Sequence, residues 1–135
     1  MLSDWTFDHI GMAVSDIETT AKMYVAVGYS QTEQVYDPIQ NVYICFLHKA
    51  GMPTVELLMP HDNTSPVQRT LDERGGGTTP YHICYKVEDM EATVAALRSQ
   101  RYVLVRKPEP AAAFDNRRVA FLYNKQVGLI EIVEK

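Results

Sequence analysis

Four residues in this chain carry types suited to shared chemistry: His9, Glu56, His82 and Glu131. Each stands in an apolar, strand-like run, and side chains alternate faces along a strand, so Glu56 shares a face with Leu58, His82 with Cys84 and Glu131 with Val133. An ionised carboxylate among such neighbours is costly to bury without a partner. A divalent metal removes that cost. Two imidazoles and two carboxylates with no thiolate suit Mn, Fe, Co, Ni or Zn, and four protein ligands would leave a six-coordinate ion two positions for water or substrate.

A repetition singles out these four, because a lone histidine or glutamate in a strand is usually structural or solvent-facing. Asp8-His9-Ile10 through Val14, Asp16 and Glu18 returns as Tyr81-His82-Ile83 through Val87, Asp89 and Glu91, 73 residues on. Phe46-Leu47 and Val55-Glu56-Leu57-Leu58 return as Phe121-Leu122 and Ile130-Glu131-Ile132-Val133, 75 residues on. Each half opens with a histidine on one strand and closes with a glutamate on another, and a pseudo-twofold between the halves would gather all four. His48 and His61 lie at a strand end and in a polar linker, where solvation is expected.

The elements that must position these residues follow from the hydrophobic pattern. Strands are predicted at 7–14, 32–36, 41–48 and 54–59, with a helix after Ser15, whose capping box with Glu18 starts it and whose stop is Gly28. The second half repeats the order, with strands at 81–87, 102–106, 117–123 and 128–134 and a helix over 89–99. Residues 60–80 form a linker with a short helix from Ser65-Pro66 to Arg74. The expectation is one α+β domain over 1–135, made of two βαβββ modules, 7–59 and 81–134. A half of this size cannot bury a stable core alone, so the sheets are expected to curve about a common interior.

Composition narrows the function classes. Thirteen Lys and Arg against 17 Asp and Glu give a net charge of −4 with no basic run, which argues against nucleic acid or an acidic membrane surface as partner. No signal-peptide pattern or long apolar run is present, so a cytoplasmic protein is expected. Cys45 and Cys84 read as reduced core thiols. Neither a nucleophile elbow nor a phosphate-binding glycine loop appears, and Gly75-Gly76-Gly77 reads as a turn.

This pattern resembles the vicinal oxygen chelate superfamily and, within it, the methylmalonyl-CoA epimerases. The resemblance runs through His9-Ile10-Gly11-Met12-Ala13-Val14, Val55-Glu56-Leu57-Leu58-Met59-Pro60, Ser65-Pro66-Val67, His82-Ile83 and Val119-Ala120-Phe121-Leu122. It implies a cup-shaped, eight-stranded mixed sheet, a metal held by His9, Glu56, His82 and Glu131, and frequent homodimers. It also implies enolisation of an acyl-CoA or similar acyl thioester, with Glu131 as one acid/base. The family's second base is a glutamate whose place falls here on Ile39, so Asp37, two residues earlier, is the candidate substitute. The family's glycine-rich loop is changed to Ala111-Ala112-Ala113-Phe114-Asp115-Asn116, where Phe114 is expected to reshape the substrate mouth. Rival readings are a glyoxalase-like lyase acting on a 2-oxoaldehyde thiol adduct and a binding protein without turnover.

Overall fold

The computed structural model describes residues 4–135, which form nine strands and three α-helices in a mixed α+β arrangement. The chain divides into two compact units. One is His9–Tyr81; the other joins residues 4–8 to His82–Lys135. Strands β1 (Thr6–Ala13) and β6 (Thr79–Val87) are each split between them, after Asp8 and after Tyr81.

The unit His9–Tyr81 continues from β1 through α1 (Ile17–Val25), β2 (Ser30–Gln31), β3 (Val35–Asp37), β4 (Val42–His48), β5 (Val55–Pro60) and α2 (Pro66–Asp72). Its strand order is β2-β4-β5-β1, with β3 also on β4; β1 runs parallel to β5, and β4 antiparallel to it. Ile17 and Ala21 on α1 pack with Val14, Cys45, Leu47, Val55 and Leu57, which places the apolar core on one face of these strands. The other face carries His9 and Glu56. Only the end of the predicted strand 32–36 is a strand, β3; residues 32–34 form a break between it and the preceding β2, so there are nine strands and not eight. The ladder breaks because one extra residue separates the pairs Gln31–Leu47 and Val35–Ile44. At the break, Thr32 pairs with Phe46 partly through its side chain: its N–H donates to the Phe46 carbonyl at 2.9 Å, and its Oγ1 accepts from the Phe46 N–H at 2.9 Å.

In the other unit β6 leads to α3 (Met90–Ser99), β7 (Val103–Pro110), a 3₁₀ turn (Ala112–Phe114), β8 (Arg118–Asn124) and β9 (Gly128–Glu134). The order is β6-β9-β8-β7, with β6 and β9 parallel and the other pairs antiparallel. Val87, Met90, Leu97, Ala120, Leu122, Ile130 and Ile132 form its core.

Both longer helices start from an aspartate. Asp16 accepts from the Thr19 N–H and Asp89 from the Ala92 N–H, each at 3.0 Å, satisfying an N–H that the first turn leaves unpaired. Ser15 is therefore not the cap of α1; its hydroxyl donates to the Gly76 carbonyl and ties the glycine turn to the helix entrance. No helix among the described residues is long and apolar enough to cross a membrane.

Candidate functional site

In the unit His9–Tyr81, Glu56 of β5 lies beside Gly11 of β1 and opposite Phe46 of β4. Paired residues share a face, and His9 is two residues from Gly11, so His9, Glu56 and Phe46 project from the side opposite the α1 core. His9 and Glu56 are buried, with His9 Nε2 3.2 Å from Glu56 Oε1. The Phe46 ring meets the imidazole edge-on at 5.5 Å between centres.

The other unit builds the same constellation from its own residues. Glu131 of β9 lies beside Cys84 of β6 and opposite Phe121 of β8. His82 Nε2 is 3.1 Å from Glu131 Oε1, both side chains are buried, and Phe121 meets His82 edge-on at 5.6 Å. Cys84 stands 73 residues after Gly11, so the second unit has a thiol where the first has a glycine. The two phenylalanines went unassigned in the sequence reading, although their 75-residue echo was there to find them.

Each pair fits neighbouring ligands on one ion. Two donors about 2.1 Å from a divalent metal and at right angles across it lie about 3.0 Å apart, close to the observed 3.2 and 3.1 Å. The donor set is imidazole nitrogen and carboxylate oxygen, which suits borderline divalent ions. Behind Glu56, burial pushes the Cys45 thiol up to about 11, with the nearby carboxylate adding to the effect.

Asp37 ends β3 and begins the turn into β4. It shares a face with Glu56, but Asp37 lies opposite Val42 and Glu56 opposite Phe46, positions roughly 13 Å apart along β4. Its carboxylate holds the turn: Oδ1 accepts from the Ile39 N–H at 2.8 Å and Oδ2 from Gln40 Nε2 at 3.0 Å. Ser65, the α2 cap, donates to the Gln40 carbonyl at 3.0 Å, so Asp37, Gln40 and Ser65 form a buried polar brace around Ile39. Ile39 sits within the turn and not on a strand, which removes the shared strand face that would have let Asp37 stand in for it. Phe114 is buried in its 3₁₀ turn, with the Arg117 guanidinium 5.7 Å from its ring centre. His48 and His61 are exposed; His48 Nδ1 lies 3.2 Å from Thr54 Oγ1 and His61 Nδ1 2.9 Å from the Tyr43 hydroxyl.

Residues 8–121 match the Glyoxalase/Bleomycin resistance protein/Dioxygenase superfamily. The chain belongs to this superfamily. Among curated relatives, the ethylmalonyl-CoA/methylmalonyl-CoA epimerase of Cereibacter sphaeroides is 30% identical over 132 residues, spanning 93% of this chain and 94% of that one. Among solved structures, the methylmalonyl-CoA epimerase of Mycobacterium tuberculosis superposes with a TM-score of 0.83 at 28% identity, covering 95% of this chain and 86% of its own. A methylmalonyl-CoA epimerase in complex with methylmalonyl-CoA and NH4+ superposes with a TM-score of 0.81 at 26% identity, covering 98% and 96%. This superfamily member thus shares its fold with proteins named as epimerases.

Proposed function

We propose that this protein is a metal-dependent enzyme that enolises carboxylated acyl-CoA thioesters of the methylmalonyl type. The observation that carries this reading is the doubled, buried His–Glu pair, each faced by a phenylalanine, in a chain matched along nearly its whole length by methylmalonyl-CoA epimerases. His9, Glu56, His82 and Glu131 together would hold one divalent ion. Bound there, that ion would stabilise negative charge developing on two vicinal substrate oxygens.

Glu131 is the base in this reading. Its carboxylate takes the proton α to the thioester carbonyl, the C–H electron pair passes to the carbonyl oxygen, and return of the proton to the α-carbon closes the cycle. His82, 3.1 Å from Glu131 Oε1, keeps that carboxylate oriented. Epimerisation needs proton delivery to the opposite face, where the superfamily resemblance would place a glutamate at Ile39. Asp37 is engaged by its own turn, so the reading gives it the task of holding Ile39 in place. The same feature favours a second reading, a glyoxalase-like lyase, because proton transfer between neighbouring carbons needs only one base.

The test combines metal analysis with α-proton exchange of methylmalonyl-CoA in deuterated buffer. Close to one divalent ion per chain is expected, lost together with thermal stability when His9 or His82 becomes alanine. Exchange should outrun epimerisation by about 10²–10⁴-fold, the usual worth of a positioned acid, and Ile39→Glu should narrow the gap. Metal-free protein whose melting ignores added Co²⁺ and Mn²⁺, or no exchange with methylmalonyl-CoA, would overturn the reading.

A further inference from the structure

Strand β7 contains two register shifts on either side of Arg106. Leu104 pairs with Leu122, Arg106 with Phe121, and Glu109 with Val119, so β7 carries one extra residue before Arg106 and another after it. The first shift decides which side chain reaches the site face. Leu122 belongs to the core behind the sheet, and unbroken alternation from the Leu104–Leu122 pair would put Val105 opposite Phe121 and turn Arg106 to the core side. The bulge substitutes the guanidinium for the isopropyl group. Bulges of this kind re-aim side chains beside active sites.

Arg106, Phe121 and Glu131 consequently form one row across three adjacent strands on a single face, with Phe121 between the cation and the carboxylate. The row separates Arg106 from Glu131 by two strand spacings, roughly 9–10 Å between backbones. A short acyl group lying across Phe121 would meet Glu131 at one end of this row and the guanidinium at the other. In the unit His9–Tyr81 the residue opposite the matching phenylalanine is Thr32, whose hydroxyl is taken up by the Phe46 N–H. Only one half of the repeat therefore offers a cation on this row, as a substrate with one anionic end requires.

We propose that Arg106 binds the free carboxylate of the acyl group and so selects carboxylated thioesters over neutral ones. The inference rests on the enolisation reading and adds a specificity residue to it. A guanidinium matches a carboxylate bidentately through parallel N–H donors, which a lysine ammonium, a point charge, reproduces only in part.

The probes are methylmalonyl-CoA and 2-methylacetoacetyl-CoA, in which a methyl ketone replaces the carboxylate at nearly the same size. Exchange at the α-carbon, above the rate without enzyme, and calorimetric affinity are measured for the unaltered protein, Arg106→Lys and Arg106→Leu. Arg106→Leu is expected to lower kcat/KM for methylmalonyl-CoA 10- to 100-fold while changing that for the neutral ketone less than threefold, with Arg106→Lys in between. Equal losses on both thioesters would assign Arg106 to the CoA phosphates and overturn the proposal, as would no loss on either. Failure of the unaltered protein to exchange methylmalonyl-CoA overturns the underlying reading instead, and the two results are told apart by that control alone. Arg106 is exposed on an edge strand, and thermal melts of both variants, taken beside the neutral-ketone rates, separate a loss of folding from a loss of selectivity.

Discussion

The two units agree closely where they would bind an ion and part company where they would meet an asymmetric substrate. His9 with Glu56 and His82 with Glu131 are 3.2 and 3.1 Å apart, and their phenylalanine partners lie 5.5 and 5.6 Å from the imidazoles. Around these matched centres the neighbours differ: Gly11 against Cys84, Thr32 against Arg106, and the braced Asp37–Asn41 turn against the 3₁₀ turn of Ala112–Phe114. A metal ion has no preferred half and accepts duplicate ligands. An acyl thioester has a reacting carbon, a carbonyl and a tail, and duplicate surroundings cannot recognise all three. Divergence between the repeats therefore points to substrate recognition, while identity points to the ion.

The largest expected effect tests whether the matched glutamates do matched work. Glu131→Gln should lower α-proton exchange by about 10²–10⁴-fold in protein shown to be metal-loaded, the cost of removing a positioned base. Glu56→Gln, loaded equally, should lose far less, because it gives up a ligand charge and no proton acceptor. Equal losses would mean that the halves share the base role or that both effects are metal loss.

The phenylalanines come next. Phe121 is buried whereas Phe46 is only half-buried. Phe121→Ala should cost about 3–5 kcal/mol in chemical unfolding, and Phe46→Ala clearly less. A larger cost at Phe46 would show that burial within each unit does not govern the pair.

Helix caps are alike in their backbone bond and differ in one side-chain partner. Asp16→Ala and Asp89→Ala each remove a 3.0 Å bond to a first-turn N–H, Asp16 also accepts from the Thr19 hydroxyl, and each change is expected to cost about 0.5–2 kcal/mol, with Asp16 the larger. A larger loss at Asp89 in thermal melts would contradict that order.

The smallest effect concerns an ion network of the second unit. Arg118 binds Glu91 of α3 and Glu134 of β9, and its hydrogen bonds hold both carboxyls below their ordinary value of 4.5. The matching pair in the first unit is Tyr43 opposite Met59, which is uncharged. Groups whose folded-state value is depressed stabilise the fold above their unfolded value and lose that contribution as pH falls through the folded one. The unaltered protein should therefore exceed Arg118→Ala in melting temperature by a small, constant margin above about pH 4.5, shrinking at lower pH. A margin that grows on acidification would contradict this assignment.

The sequence by itself determined most of the order of elements, the repeat and the presence of one strand histidine and one strand glutamate in each half. Strand alternation, helix periodicity and a copied motif are local signals, written within a few residues or at a constant offset. Residues 81–87 and 128–134 were legible as strands for that reason, and so was the helix at 90–99. Tertiary structure alone decided matters that hang on a partner strand's register. It put a break at residues 32–34 of the predicted strand 32–36, moved the α1 cap from Ser15 to Asp16, and spent the Asp37 carboxylate on its own turn. It also lengthened β7 to Pro110 and turned Arg106 to the site face. A one-residue bulge reverses which face a side chain occupies, and its presence depends on which hydrogen bonds the neighbouring strand can offer, a quantity that no window along the chain contains.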